Sequence, residues 1–272
     1  VATDVVTVGI DYSFDQDEKM QSIQRNCIFK FCSIGSMATI LAMGVLLAAE
    51  PASARTIKIS LAQLPVLSES PTKGVFIDVI KAMAEIDPQN TYEISVVPFA
   101  RSLLSVQDGL ADVHIPLIRP PSETDLPYRL SQKINFYKVN FVLYSNKNKA
   151  LDIENLQQYS IETDNAHTNF FKFPVKPVSA IEAGLVKVDL KRLDGFIFSD
   201  VATDPVLKER GYKNIRQSFF SAFDVTTVYK KDSSNEVDDI MVSALDKLKA
   251  NGRLAAILGP VITQYVDWQM PD

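Results

Sequence analysis

From residue 56 onward the chain alternates between two hydrophobic rhythms. Thr56 to Leu61 sets Ile57, Ile59 and Leu61 against polar neighbours, the period-two pattern of a half-buried strand. Pro65 and Ser68-Glu69-Ser70-Pro71 make a loop, and Gly74 precedes Phe76, Val79, Ile80 and Met83 at helical spacing, which predicts a helix ending near Asp87-Pro88. Tyr92 to Val97 reads as a second strand, Ala100 to Asp108 as a helix stopped by Gly109, and Val113 to Ile118 as a third strand.

After a loop from Arg119 to Gln132, rich in Pro and charge, Val139 to Tyr144 is strand-like, and Ser145-Asn146-Lys147-Asn148-Lys149 is a polar break. The rhythm then repeats, with a strand near Tyr159 to Thr163, a helix from Ser179 to Leu193, a strand from Gly195 to Ser199 and a helix from Asp204 to Arg210. Asp224 to Tyr229 alternates as a strand, Lys230 to Ser234 is polar, and Glu236 to Ala250 is an amphipathic helix carrying Ile240, Leu245 and Leu248. Strands alternating with helices of this length imply βαβ units, hence an α/β fold with a mainly parallel sheet. The two polar breaks divide it into one lobe of residues 55–145 plus 231–272 and another of 146–230, following an N-terminal segment of residues 1–54. There is no repeat at fixed period and no low-complexity tract.

The first 54 residues have the order of an export signal. Arg25 and Lys30 precede an apolar run, Ile34 to Ala49, that ends at the small-x-small triplet Ala52-Ser53-Ala54. The run is about 16 residues, short of the roughly 20 that span a hydrocarbon core, so cleavage after Ala54 is expected rather than anchoring. The start is open between Val1 and Met20. Both cysteines, Cys27 and Cys32, fall inside this signal, so a chain beginning at Arg55 has no thiol for a disulfide, nucleophile, metal site or lipid anchor. A periplasmic location follows.

The chain has 272 residues, a formal net charge of -5 and a pI near 5.2, with no Lys/Arg cluster of the kind phosphate neutralisation needs. Nucleic acid is not an expected partner. Removing residues 1–54 takes away more acids than bases and leaves a nearly neutral protein, so any charge preference must come from individual side chains. His114 and His167 are not at metal-ligand spacing, and no GxGxxG, GxxxxGK[ST] or GxSxG occurs. No catalytic residue, metal or cofactor is predicted.

Four passages, taken in order, resemble the bacterial extracellular solute-binding proteins of family 3, the polar amino-acid receptors of ABC importers. Gly74-Val75-Phe76-Ile77-Asp78-Val79-Ile80-Lys81-Ala82-Met83 is similar to that family's first helix, and Asp108-Gly109-Leu110-Ala111-Asp112-Val113 to its helix end, Gly and Asp-led strand. Leu193-Asp194-Gly195-Phe196-Ile197-Phe198-Ser199-Asp200 is similar to the matching strand of the second lobe, and the stretch Leu245 to Ile257 to its C-terminal helix, Asn-Gly turn and last short helix. The resemblance implies a type II periplasmic-binding-protein fold, with two α/β lobes joined by two crossover strands that close over a small polar solute, amino-acid-like or a small organic acid. It also implies an inner-membrane ABC permease as partner and a monomeric protein. Two alternatives on the same scaffold are a periplasmic enzyme resembling cyclohexadienyl or arogenate dehydratases, and a sensory module that docks on a membrane receptor.

The same resemblance nominates ligand-binding residues. Gln63 and Leu64 follow the first strand, where relatives line the cleft. Relatives hold a ligand carboxylate with an Arg after the third strand; here that position holds Thr124 or a neighbouring acid, with Pro116 and Arg119 close by. An acid after the second-lobe strand meets the ligand ammonium, which points to Asp200 or Ser199, on opposite faces by strand alternation; Asp200 reads equally as a helix N-cap. Arg101 opens a helix, where a ligand anion would offset its clash with the macrodipole. Asn165, His167 and Thr168 belong to a polar turn whose free N–H groups suit an anion.

Overall fold

The computed structural model describes residues 5–8, 54–262 and 265. The apolar run at 34–49 and both cysteines lie outside the described residues, as does the cleavage triplet apart from Ala54. Chain order is β1 (Val5–Val8), β2 (Thr56–Ala62), α1 (Val75–Ile86), β3 (Thr91–Val97), α2 (Phe99–Gln107), β4 (Val113–Ile118), β5 (Tyr128–Leu130), β6 (Lys138–Asn146), β7 (Ile161–Asp164), β8 (Lys176–Val178), α3 (Ile181–Asp189), β9 (Gly195–Ser199), α4 (Asp200–Arg210), β10 (Ile215–Lys230), α5 (Glu236–Ala250) and α6 (Arg253–Leu258).

In the first half, β2 is parallel to β3 on one side and β4 on the other, while β1 adds an antiparallel edge to β3. All six positions of β4 are buried, which explains its continuous apolar run: a strand with neighbours on both sides and helices over its faces has no solvent side. Helix α1 buries Phe76, Val79, Ile80 and Met83, the residues predicted by spacing. Its entry requires Gly74, whose φ is 138°, because a Cβ there would sit 2.6 Å from the Leu67 carbonyl oxygen.

The second half repeats the plan, with β7 parallel to both β8 and β9. One joint is common to both halves. The Asp112 carboxylate accepts from the Lys58 amide at 2.8 Å while the Asp112 amide donates to the Lys58 carbonyl at 2.8 Å. Asp194 does the same with Ser160, at 2.9 and 3.2 Å. Each aspartate therefore fixes the start of one parallel strand against its neighbour, which gives the Gly/Asp motifs a structural role.

The halves meet in β10. Val225 to Lys230 pairs with β4 and β5, whereas Ile215 to Asp224 pairs antiparallel with β6, which continues to β9. Nine of the ten described strands thus lie on one hydrogen-bonded path, β1-β3-β2-β4-β10-β6-β9-β7-β8, with β5 off it against β10. The resemblance implies two lobes joined by two crossover strands, and here one long strand, β10, threads both halves. The exchange of partners falls at Asp224, held by the Asn135 amide at 2.9 Å and Lys138 at 3.1 Å, beside the residue where β6 begins.

Two elements are longer than their patterns suggest. Helix α4 starts at Asp200, not Asp204, because Ser199 accepts from the Ala202 amide at 3.4 Å and buried Ala202, Thr203 and Leu207 outweigh an interior Pro205. Strand β10 starts at Ile215, well before Asp224. Its first part escapes a hydrophobic scan because the buried Gln217 is polar and Phe219 is exposed. Short β5 and β8 had no pattern of their own.

Candidate ligand cleft

A cavity of about 30 Å³ lies where the halves meet. The first half contributes Leu64, Leu67, Phe99, Pro116 and Ile118; the second contributes His167, Phe198 and Ser199. Tyr137, Val139, Phe141 and Val225 line it from the two crossings. Leu64 and Phe99 follow β2 and β3, His167 follows β7, and Ser199 ends β9, so the cavity sits at the C-terminal ends of parallel strands, where α/β sheets bind ligands. Leu64 also borders a wider groove of about 440 Å³, formed by Gln63, Pro65, Val66, Glu69 and Lys73 on one side and Pro205, Val206 and Glu209 of α4 on the other. At this volume, far below that of a ligand pocket, the inner space admits a solute only if the halves part.

The inner walls are aromatic. The His167 ring, 1% exposed, is met edge-on by Phe99 at 4.8 Å, Phe170 at 5.2 Å, Phe198 at 5.5 Å and Phe141 at 5.7 Å. Such edge-to-face pairs are worth about 0.5–1.5 kcal/mol each beyond their buried area. Phe99 and His167 come from different halves, so their contact bridges the seam. His167 Nδ1 is buried without a hydrogen bond, with Asp164 Oδ1 at 3.6 Å, and the buried hydroxyl of Tyr137 also lacks a partner.

Behind the first wall runs a hydroxyl–imidazole chain. Ser60 Oγ donates to Ser102 Oγ at 2.9 Å, and Ser102 Oγ lies 2.7 Å from His114 Nδ1. Burial pushes His114 down to about 3, the nearby His167 ring adds to this, and a hydrogen bond to Pro116 and the Asp164 charge oppose it. His114 is therefore neutral at ordinary pH and stacks edge-on against Phe99 at 5.2 Å.

Behind the second wall stand two carboxylates. Asp200 accepts from the Asn140 amide at 2.9 Å and from the Val201 amide at 2.7 Å. Asp204 accepts from Tyr144 Oη at 2.7 Å and Gln217 Nε2 at 2.6 Å. Burial raises both above the usual carboxylate range, against the lowering effect of these hydrogen bonds; for Asp204 the neighbouring Asp200 charge raises it further.

Of the nominated residues, the fold brings Leu64, Pro116, His167 and Ser199 to the inner cavity, and Gln63 to the outer groove. Arg119 is turned away: its guanidinium donates to Glu123 and, at 2.5 Å, to the Ser131 carbonyl. Asp200 does not line the cavity, and the N-cap of α4 is Ser199 rather than Asp200. Arg101 and Asn165 are exposed and Thr168 half-buried, all three outside the lining. Sequence reasoning missed Phe99, Tyr137, Phe141 and Phe198. Tyr137, Val139 and Phe141 share one face of the first crossing by period-two placement, a pattern that marks burial without separating cleft from core. Among the described residues no group of His, Cys, Asp or Glu is placed to hold a metal ion.

No family model matches the chain, and no curated protein matches it. Solved structures do. The substrate-binding protein of an amino-acid ABC transporter is 17% identical with a TM-score of 0.61, over 77% of this chain and 100% of its own. The arginine-, lysine-, histidine-binding protein of Geobacillus stearothermophilus is 14% identical with a TM-score of 0.62, over 78% and 96%. A histidine kinase sensor domain with similarity to periplasmic binding proteins is 14% identical with a TM-score of 0.65, over 77% and 97%. The chain therefore has the two-lobed α/β fold of the periplasmic-binding-protein type.

Proposed function

We propose that the protein captures a small solute between its two lobes and delivers it to an ABC permease of the inner membrane, acting by binding rather than catalysis. The observation that carries this reading is the cavity at the seam, walled by both lobes and floored by the two strands that cross between them. A solute there touches every part that must move. The similarity to substrate-binding proteins of importers supports the partner.

The partner exchange at Asp224 and the start of β6 favour lobes of roughly 55–137 plus 225–272 and 138–224, in place of boundaries at 145 and 231. Bending there would open the cleft as a hinge. Export with cleavage after Ala54, which would remove β1 and leave β3 at the edge of the sheet, a periplasmic location and a monomeric state complete the proposal. Among the described residues no helix is long and apolar enough to cross a membrane. Thermal-shift screening against pools of small solutes, followed by calorimetric titration, tests capture: the expected result is a solute that raises the melting temperature and binds with one-to-one stoichiometry. A protein that binds nothing across broad pools contradicts it.

The similarity to a histidine kinase sensor domain favours one second reading, a sensory module whose closed form docks on a membrane receptor. Solute-dependent association with a kinase rather than a permease, measured in membranes of the native host, would replace the transport role while leaving capture intact.

A further inference from the structure

We infer that the cleft takes an uncharged, ring-bearing, largely apolar solute with a hydrogen-bonding group, and rejects zwitterionic α-amino acids. This rests on the capture reading and sharpens it. The inner cavity is lined by no Lys, Arg, Asp or Glu. Nearby charges are engaged elsewhere: Arg119 by Glu123 and the Ser131 carbonyl, Asp200 by Asn140 and the Val201 amide, and Asp164 by the Ala166 amide at 2.8 Å and the His167 ring at 3.6 Å. In the outer groove Lys73 and Glu69 satisfy each other at 2.5 Å. An α-amino acid closed into this space would bury an ammonium and a carboxylate with no counter-ion, and each unpaired ion costs far more than ring contacts return.

The same walls suit an uncharged ring. Phe99 of one lobe meets His167 of the other edge-on across the seam, and Phe198 packs edge-on against the same imidazole, so a ring entering at the seam exchanges one set of edge contacts for another. Two lining residues carry buried polar atoms that make no hydrogen bond, Tyr137 Oη and His167 Nδ1, the latter with Asp164 Oδ1 at 3.6 Å. A buried polar atom left unmatched is costly, and a ligand hydroxyl, carbonyl or ring N–H that pairs with it removes that cost on binding.

Calorimetric titration with matched pairs tests the inference, each pair sharing a ring and differing in charge: 2-phenylethanol against L-phenylalanine, and tryptophol against L-tryptophan. The uncharged member is expected to bind at least about tenfold more tightly in at least one pair. Tyr137→Phe, which deletes one unmatched oxygen without changing shape, is expected to melt at the same or a higher temperature yet weaken the hydroxyl-bearing ligand about fivefold or more. Tighter binding of either amino acid, or of any charged solute from wider pools, overturns the inference while leaving capture standing. Unchanged ligand affinity in a folded Tyr137→Phe protein also overturns it. No binding by either pair or by any pool removes the capture reading itself.

Discussion

The two lobes begin their inner strands in the same way and finish them differently. Asp112 and Asp194 make equivalent paired hydrogen bonds to the neighbouring strand, yet β4 carries His114 behind the cleft, whereas β9 runs into a helix whose first turns carry Asp200 and Asp204. Burial acts on both in the direction that disfavours charge, moving the imidazole down to about 3 and the carboxylates up. Matching joints thus set the fold, and unlike titratable groups stand behind the two walls. The outer groove is the larger of the two spaces and is walled by both halves; the inner cavity is lined by both halves and also by the crossings.

Substitutions can be ranked by how far they break this arrangement. Phe141 belongs to the crossing and touches His167, Phe198 and Phe223, so Phe141→Ala should cost about 3–5 kcal/mol in urea unfolding, the largest effect among cleft residues. On the second wall Asp204→Ala leaves Tyr144 Oη and the Gln217 amide buried without their acceptor, an expected loss of about 2–3 kcal/mol by the same measurement.

The pH response separates the walls further. Between pH 6.5 and about 3 the unfolded chain protonates His114 and the folded one does not, so stability falls with falling pH at up to about 1.4 kcal/mol per unit. Asp200 and Asp204 have the opposite sign: with folded values raised, the native state holds more protons, and their contribution is lost as pH rises through the raised values. Melting curves across this range should flatten for His114→Asn and steepen for Asp200→Asn. Ser102→Ala, which cuts the chain from Ser60 to His114, should be the mildest, at about 1 kcal/mol.

Much of this was legible in the sequence. The alternation of Ile57, Ile59 and Leu61 and the spacing of Phe76, Val79, Ile80 and Met83 specify elements because one face of each is buried. The resemblance, which places cleft residues after the first strand, leads to Leu64, and the polar turn leads to His167; both line the inner cavity. Charged candidates fared worse because a charge is placed by its partner: nothing local says that Arg119 reaches the Ser131 carbonyl or that Asp200 meets Asn140, sixty residues away in sequence. Phe99, Phe141 and Phe198 were hidden for a simpler reason, since an aromatic that lines a cleft has the same pattern as one that fills a core.

The lobes are expected to part and close about the crossing of β6 and β10. Leu104 on α2 and Leu190 beyond α3 are exposed, at 51% and 52%, and suit paired spin labels once both are changed to Cys and Cys27 and Cys32 to Ser. Pulsed electron spin resonance should then give a longer or broader interlabel distance without solute and a single shorter one with saturating solute. One unchanged distribution in the presence of a solute that calorimetry shows to be bound would contradict the account.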